Sequence, residues 1–153
     1  MDENRSSTPG TLQVACPHCE TTNRLSRDRV GDGPKCGHCK KPLFPGHAFA
    51  LTEANFDRHV GGDVPLVVDF WAPWCGHCRM MAPAYEQAAA RVPAGIHLAK
   101  LDTEAEPGIA SRFGIRSIPT LMAFRNGREM ARQSGALGLP QLLQWINSHV
   151  EQN

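Results

Sequence analysis

The pattern of hydrophobic residues divides the chain near residue 45. Residues 1–45 contain, besides cysteines, only eight hydrophobic residues, of which Phe44 is the single aromatic one. So few apolar groups cannot offset the entropy of ordering the segment, which therefore needs a cross-link. Residues 46–153 carry apolar runs that are typical of strands and helices. We therefore predict a small first module, 1–45, and a larger second module, 46–153, joined through a stiff proline-containing connector over 41–46.

The apolar pattern of the second module predicts an α/β fold. A continuous apolar run over 66–71 indicates a strand that is covered on both faces. The Asn126-Gly127 pair is a strong hairpin signal. The predicted elements, in chain order, are a helix over 52–60 with Thr52 as its N-cap, the strand 66–71, a long helix over 75–91 kinked at Pro83, a strand over 96–101, a short helix over 107–113, strands over 120–124 and 129–133, and a helix over 140–150 that buries Leu142, Leu143, Ile146 and Val150. This order predicts a mixed central sheet flanked by helices.

Composition and charge exclude several classes of protein. Hydrophobic residues make up 41% and charged residues 20% of the chain, which is typical of a globular protein rather than a disordered one. The formal net charge of +1 comes without a basic stripe, so we expect no nucleic-acid partner. No apolar run reaches the roughly 18 residues of a membrane span, and the acidic start at Met1–Arg5 lacks a signal-peptide core. We therefore expect no membrane partner and a cytoplasmic location, where thiols stay reduced.

Four of the six cysteines form two Cys-x2-Cys pairs in the first module. The pairs are Cys16–Cys19 and Cys36–Cys39, with sixteen residues between them. This spacing predicts a four-cysteine zinc ribbon, in which four thiolates fill the tetrahedral shell and leave no position open for a substrate. Zinc binding on the order of 10 kcal/mol would supply the missing stability. The alternatives are two disulfides or four unrelated thiols, and we interpret His18 and His38 as turn residues rather than ligands.

The other two cysteines, Cys75 and Cys78, repeat the Cys-Gly-His-Cys tetrapeptide of 36–39 in a different setting. They follow the apolar strand 66–71 and open a helix, so Cys75 is expected at a helix N-terminus, where the dipole and free N–H groups favour a thiolate. Cys78 lies one turn later and can close a disulfide with it. Cys75 would attack a substrate disulfide and Cys78 would resolve the mixed disulfide. The alternative is half of a metal site, or two buried structural thiols.

The residues around this second motif resemble the thioredoxin family. The active-site strand and turn correspond to Val68–Cys78, and further matches are Ala99–Asp102, Phe113–Thr120 and Gly135–Leu137, in family order. With the four-cysteine segment in front, the whole chain resembles the bacterial type that carries an N-terminal zinc ribbon, thioredoxin 2. The resemblance implies a thioredoxin fold preceded by a zinc ribbon. It also implies reduction of protein disulfides, with recharging by an NADPH-dependent thioredoxin reductase.

The resemblance also implies roles for individual residues. Cys75 would be the exposed nucleophile and Cys78 the buried resolving cysteine. Asp69 resembles the family's buried carboxylate; burial should raise its pKa, so that it can exchange a proton with Cys78. Lys100 resembles the partner of this carboxylate, although an ordinary exposed strand lysine is the alternative. Ile118-Pro119 matches the family's cis peptide bond.

A docking surface for an extended substrate strand is implied next to Cys75, with main-chain pairing at Ile118. Its expected members are Trp74, Gly76, His77, Ile118, Pro119, Gly135 and Ala136. His77 departs from the family, because thioredoxins usually carry proline there and protein disulfide isomerases carry histidine. When protonated, His77 would favour the Cys75 thiolate and make the protein more oxidising.

These observations favour a protein-disulfide reductase over two alternatives. The first hypothesis includes one structural zinc ion, a redox-active Cys75–Cys78 disulfide, no organic cofactor and a monomeric protein. A second hypothesis, suggested by His77, is a more oxidising activity like that of a disulfide isomerase or oxidase. The third is a zinc-ribbon interaction module that uses the second module as a passive platform. The intact cysteine pair disfavours the third, because binding alone needs no redox pair.

Overall fold

The computed structural model describes residues 10–151, with a five-stranded mixed sheet, four α-helices and a two-stranded ribbon. The elements are β1 (Thr11–Ala15), β2 (Thr22–Ser26), a 3₁₀ segment (Arg27–Asp32), β3 (Phe49–Ala50), α1 (Phe56–Val60), β4 (Leu66–Trp71), α2 (Gly76–Arg91), β5 (His97–Asp102), α3 (Pro107–Arg112), β6 (Thr120–Arg125), β7 (Arg128–Ser134) and α4 (Leu139–His149). The large sheet has the strand order β3-β5-β4-β6-β7, and β1 pairs with β2. The predicted α/β class with a mixed, helix-flanked sheet is confirmed. None of the helices in the described part of the chain is long and apolar enough to cross a membrane.

Strand β4 lies at the centre of the sheet, parallel to β5 and antiparallel to β6. Because side chains alternate between the faces of a strand, Val68 and Phe70 pack against α1 and α3, whereas Val67 packs against α2 and α4. Asp69 shares the face of Val67 and therefore lies on the side of the sheet that α2 covers. A strand buried on both faces explains the continuous apolar run in the sequence.

The hairpin between β6 and β7 turns at the Asn-Gly pair that the sequence indicates. Asn126 and Gly127 both have positive φ, 53° and 79°, as a two-residue turn of this kind requires. The observed bounds of β4, α2, β5, α3, β6, β7 and α4 agree with the predicted ones to within one residue at nearly every end. In α4 the core face is Leu142, Ile146 and Val150 as predicted, but Leu143 is only half-buried and Trp145 is buried instead.

Two predicted features of the chain before β4 are wrong. Helix α1 begins at Phe56 rather than at Thr52, because the Thr52 carbonyl closes a separate turn with the N–H groups of Asn55 and Phe56. The segment 41–46 does more than connect, since Leu43 is only 1% exposed and belongs to the apolar cluster of the ribbon. That cluster also includes Val64, two residues before β4, so the two modules share apolar packing.

The ribbon packs at the end of the sheet where β4 and β5 begin. His97, the first residue of β5, has its Nε2 atom 2.7 Å from the Leu43 carbonyl oxygen. On the other side, the Asp63 carboxylate accepts from the Gln13 backbone N–H at 2.8 Å, and the Asp63 N–H donates to the Gln13 carbonyl at 3.0 Å. Since β4 spans roughly 20 Å at about 3.3 Å per residue, the ribbon lies at the opposite end of that strand from Cys75.

The hydroxyl of Tyr85 in α2 bonds to two strands of the sheet. It lies 2.8 Å from the Ala99 carbonyl oxygen and 3.1 Å from that of Val67, and the side chain is fully buried. We expect Tyr85→Phe to lower the free energy of unfolding by about 1 kcal/mol, because it removes this hydrogen bond and leaves the ring packing intact. Urea denaturation measures this as a lower midpoint with an unchanged slope. An unchanged midpoint would contradict a stabilising role for the hydroxyl.

Candidate functional site

Cys75 lies where the chain leaves β4 and enters α2. It is the N-cap residue of α2, and its Sγ accepts a hydrogen bond from the Cys78 backbone N–H at 3.2 Å. The sulfur therefore occupies the position in which an N-cap oxygen usually satisfies a free N–H of the first turn. Both this N–H group and the N-terminal end of the helix dipole direct positive charge toward the sulfur.

The expected exposure of Cys75 is wrong, because the residue is only 5% exposed and Cys78 only 2%. Both cysteines pack with Ala72, and the partly buried side chains of Trp71 and Ile118 cover the cluster. The Cys75 Sγ lies 3.8 Å from the Ile118 carbonyl oxygen. A disulfide that reaches Cys75 must therefore come into contact with the residues around it.

Cys78 differs from Cys75 in its electrostatic surroundings. The pKa of the Cys78 thiol is raised to about 12, chiefly by burial. The neighbouring Cys75 sulfur and the charge of Asp69 act in the same direction, and a hydrogen bond with the Ala72 backbone opposes them. At neutral pH this thiol keeps its proton. The two thiols are chemically identical groups in different positions. Of the two sulfurs, only that of Cys75 accepts a hydrogen bond from an N–H group in the first turn of α2.

Asp69 is 1% exposed, and within the described part of the chain neither of its carboxylate oxygens has a hydrogen-bond partner. Burial raises the pKa of Asp69 to about 7, against an opposing effect of the Lys100 charge. The direction agrees with the sequence prediction. Lys100 lies beside Asp69 in the paired strands, and its Nζ sits 4.8 Å from the centre of the Trp71 ring. Near neutral pH, the carboxyl group can therefore exist in either protonation state.

The Ile118–Pro119 peptide bond is cis, as the resemblance predicts. Of the expected docking residues, Trp74, Gly76, His77, Gly135 and Ala136 are exposed, Ile118 is half-buried and Pro119 is buried. The Gly135 N–H donates to the Pro119 carbonyl at 2.9 Å, which ties the end of β7 to the cis bond. The structure therefore brings these residues from three separate segments to the end of the sheet where Cys75 lies.

Glu104 is a residue at this site that the sequence did not indicate. Its carboxylate accepts a hydrogen bond from the indole N–H of Trp74, whose side chain is 64% exposed. Glu104 is itself held in the turn after β5, where its N–H donates to the Asp102 carboxylate at 2.9 Å. The bond orients an otherwise exposed aromatic ring beside Cys75. Glu104 belongs to no recognisable motif and lies thirty residues from its partner, so no local signal marks it.

The other four cysteines converge on a single point in the ribbon. Their sulfur atoms all lie within 4.8 Å of one another. The Cys16–Cys39 and Cys19–Cys36 sulfurs are 3.7 Å and 3.6 Å apart. A tetrahedral zinc ion with Zn–S bonds of about 2.3 Å requires sulfurs about 3.8 Å apart. The arrangement therefore fits zinc, and four sulfur ligands would complete its coordination shell.

The two cysteine pairs have the same backbone geometry. In the first knuckle, residues 16–21, the N–H groups of His18 and Cys19 donate to the Cys16 sulfur at 3.3 and 3.4 Å. In the second knuckle, residues 36–41, the His38 N–H donates to the Cys36 sulfur at 3.3 Å. These N–H groups stabilise negative sulfur, which a metal ligand requires. Both histidine side chains are exposed and lie outside the cysteine cluster.

Two models of protein families match this chain. The model described as "Thioredoxin" matches residues 47–148, which is more than half of the chain. The chain belongs to the thioredoxin family. A second model, described as "Thioredoxin 2, N-terminal", matches residues 15–41 and so includes all four cysteines of the ribbon.

Individual thioredoxins agree with the family match. The chain is 39% identical over 140 residues to thioredoxin C-3 of Corynebacterium nephridii, covering 91% of this chain and 96% of that protein. It is 39% identical over 101 residues to the thioredoxin of Haemophilus influenzae, covering 65% and 94%. Among solved structures, a mutant thioredoxin from Halobacterium salinarum superposes with a TM-score of 0.64 at 27% identity, covering 71% of this chain and 96% of that one. The Malassezia sympodialis thioredoxin gives 0.60 at 34% identity, covering 65% and 88%.

Membership in the thioredoxin family establishes the class of chemistry. The protein is a thiol–disulfide oxidoreductase, and proteins of this family act on disulfides in other proteins and are recharged by a reductase. The ribbon match and the converging sulfurs together indicate a zinc-binding segment in front of the thioredoxin domain.

The buried carboxyl group of this thioredoxin predicts a pH-dependent stability. Its pKa is about 7 in the folded state against 3.8 for an unperturbed aspartate, so stability falls as pH rises from about 4 to about 7 and then levels off. Asp69→Asn removes the cost of ionising the buried group. We therefore expect the variant to gain on the order of 4 kcal/mol relative to wild type between pH 4 and pH 8.

Urea unfolding of the reduced proteins at both pH values measures this gain. Asp63→Asn, a substitution of a hydrogen-bonded aspartate outside the dithiol site, is the control and should show no comparable pH-dependent gain. Equal pH dependence of Asp69→Asn and wild type would show that Asp69 ionises normally in the folded protein.

Proposed function

We propose that the protein reduces protein disulfides through Cys75 as nucleophile and Cys78 as resolving cysteine. The observation that carries this proposal is the asymmetry of the pair: the Cys75 sulfur accepts the Cys78 N–H at 3.2 Å, whereas burial raises the pKa of Cys78 to about 12. A thiolate attacks a disulfide far faster than a thiol does. The sulfur that is stabilised as an anion is therefore the one that begins the reaction.

The exchange proceeds in two balanced steps. The Cys75 thiolate attacks one sulfur of the substrate disulfide, forms a mixed disulfide and releases the other substrate sulfur as a thiolate. Cys78 then loses its proton and attacks the Cys75 sulfur, which releases the second substrate thiolate and forms the Cys75–Cys78 disulfide. Two electrons pass from the protein to the substrate. A thioredoxin reductase that uses NADPH returns them and restores the dithiol.

Asp69 accepts the proton of Cys78 in the second step of this proposal. Its unpartnered carboxylate oxygens and a pKa of about 7 support the role, because a base that is half-ionised near neutral pH can both take up and return a proton. The charge of Asp69 also acts on the Cys78 thiol, which indicates proximity. Lys100 acts as a positioning residue that lowers the pKa of Asp69 through its charge.

The substrate binds as an extended segment beside the cis bond at Pro119 and pairs with the backbone at Ile118. The 3.8 Å approach of the Ile118 carbonyl to the Cys75 sulfur supports this geometry. The remaining contacts come from the docking residues Trp74, Gly76, His77, Gly135 and Ala136, all of which are exposed.

The ribbon holds one structural zinc ion through Cys16, Cys19, Cys36 and Cys39 in this proposal. Zinc at four thiolates supplies cross-linking rather than chemistry, since no ligand position stays open. We further propose a monomeric cytoplasmic protein with two modules, 1–45 and 46–153, with no nucleic-acid or membrane partner and no organic cofactor. The separate family matches to 15–41 and 47–148 support the division.

A more oxidising activity is the second candidate, and His77 is the observation that favours it. The residue is exposed in the first turn of α2, between the two cysteines. Its protonated ring would stabilise the Cys75 thiolate and with it the reduced protein. A stabilised dithiol form shifts the equilibrium toward oxidation of substrates.

Replacing the resolving cysteine tests the order of attack. We expect Cys78→Ser to lose turnover and to accumulate a mixed disulfide with a disulfide-containing protein such as insulin, because the second step has no nucleophile. Mass spectrometry after alkylation should locate the bond at Cys75. The matched variant Cys75→Ser should form no such adduct. Trapping through Cys78 in Cys75→Ser at the same rate would refute the assigned roles.

Replacing His77 separates the two candidate directions. We expect His77→Pro to lower the reduction potential by roughly 30 mV, which is a tenfold change in the equilibrium constant for this two-electron couple. Equilibration of the Cys75–Cys78 pair with glutathione, with zinc retained, measures the potential. Arg79→Ala, at the exposed position after Cys78, controls for general changes of charge near the pair. An unchanged potential in His77→Pro would eliminate the histidine as the source of an oxidising activity.

A further inference from the structure

We propose that Glu20 and His59 are positioning residues of the metal centre, through which the thioredoxin domain holds the first zinc knuckle in place. Glu20 follows the ligand Cys19 in the ribbon, and His59 lies in α1 of the thioredoxin domain. The inference rests on the zinc centre of the proposed function. It adds that zinc retention depends on residues outside the ribbon.

Glu20 is part of the loop that presents the first pair of sulfurs. Its backbone N–H donates to the Cys16 carbonyl at 3.0 Å, and its φ of 71° lies in the left-handed region. That conformation is costly for a residue with a side chain, so surrounding contacts must hold it. The conformation of Glu20 therefore determines the shape of the turn that carries Cys16 and Cys19.

Three side chains of the thioredoxin domain bind Glu20. The Nε2 atom of His59 lies 2.6 Å from Glu20 Oε1, and the Asn55 amide donates to Oε2 at 3.0 Å. The Arg58 guanidinium donates to the Glu20 backbone carbonyl at 2.9 Å. Both carboxylate oxygens and the carbonyl oxygen are therefore fixed by residues at the start of α1 or within it.

Among these contacts, the hydrogen bond between His59 and Glu20 is the one that water cannot easily replace. The side chain of His59 is 1% exposed, and its ring packs against Phe49 at 4.8 Å between centroids. Its Nδ1 atom has no hydrogen-bond partner among residues 10–151, and its Nε2 atom faces a carboxylate oxygen, which can only accept, so Nε2 carries a proton and donates to the carboxylate. Loss of this bond would leave a buried ring without any polar contact.

The second knuckle offers an internal comparison. Lys40 occupies the position that matches Glu20, with φ of 69° and its N–H on the Cys36 carbonyl at 3.0 Å. Its side chain, however, donates to the Gly37 carbonyl of its own loop at 2.7 Å. The two knuckles therefore share a backbone geometry, but at this position only Glu20 binds the thioredoxin domain.

The rate of zinc loss tests the proposal on the full-length zinc-loaded protein. Bound zinc is first measured per chain, and release to an excess of a chromogenic chelator is then followed over time. We expect Glu20→Gln and His59→Phe each to release zinc about tenfold faster than wild type. The double variant should be no faster than the faster single variant, because both substitutions act on the same contact.

Glu129→Gln is the matched control, because it makes the same substitution at a carboxylate that binds Arg132 of its own strand, and it should release zinc at the wild-type rate. Arg58→Ala, which alters an exposed side chain, provides a variant that does not disturb the core and should accelerate release about threefold. If His59→Phe does not fold, the zinc release rates of Arg58→Ala and Glu20→Gln decide the test.

Wild-type release rates in Glu20→Gln and Arg58→Ala, or equal acceleration by Glu129→Gln, would overturn the positioning role while leaving the zinc centre intact. Absence of zinc from the purified wild-type protein would overturn both. Neither outcome depends on disulfide turnover, so the test is independent of the assigned roles of Cys75 and Cys78.

Discussion

The burial of β4 on both faces is the constraint on which the reactive site depends. Because β5 and β6 flank the strand and helices cover both faces, its side chains have fixed alternating directions. Val67 and Asp69 face α2, and the strand ends at Trp71 just before the turn into that helix. The same strand therefore buries the carboxyl group of Asp69 and delivers Cys75 to the N-terminus of α2. A shift of the strand by one residue would move Asp69 to the opposite face.

From that constraint follows a chemical difference between two identical side chains. Cys75 receives an N–H donor at the start of α2, whereas Cys78 lies inside, next to a buried carboxyl group. The two environments differ within a single helical turn, which is the basis of the proposed division into an attacking and a resolving cysteine. The histidines near the other end of β4 also differ in their environments. His59 is buried against Glu20, whereas the histidines of the knuckles are exposed.

Local patterns in the sequence were sufficient for the elements from β4 onward and for the convergence of the four ribbon cysteines, but not for β1, β2, β3 or the start of α1. The apolar run over 66–71, the Asn126-Gly127 turn and the two Cys-x2-Cys pairs each depend on residues that are close in sequence. Two errors came from tertiary packing. The exposure of Cys75 is limited by Ile118, which is forty-three residues away. The segment 41–46 becomes part of the core because Leu43 packs against residues that precede the segment in sequence and against Val64, which follows it. The bonds from Glu104 to Trp74 and from Glu20 to His59 lie outside any motif, so only the folded chain discloses them.

Competitive alkylation of the reduced protein compares the reactivities of Cys75 and Cys78. We propose that the N-cap position makes Cys75 the reactive sulfur and that burial keeps Cys78 protonated. Brief exposure to a limiting amount of iodoacetamide at pH 7, with zinc bound, followed by peptide mass mapping, measures which sulfur reacts. We predict modification of Cys75 with Cys78 unmodified until the protein is denatured. Equal labelling of both cysteines, or preferential labelling of Cys78, would contradict the account.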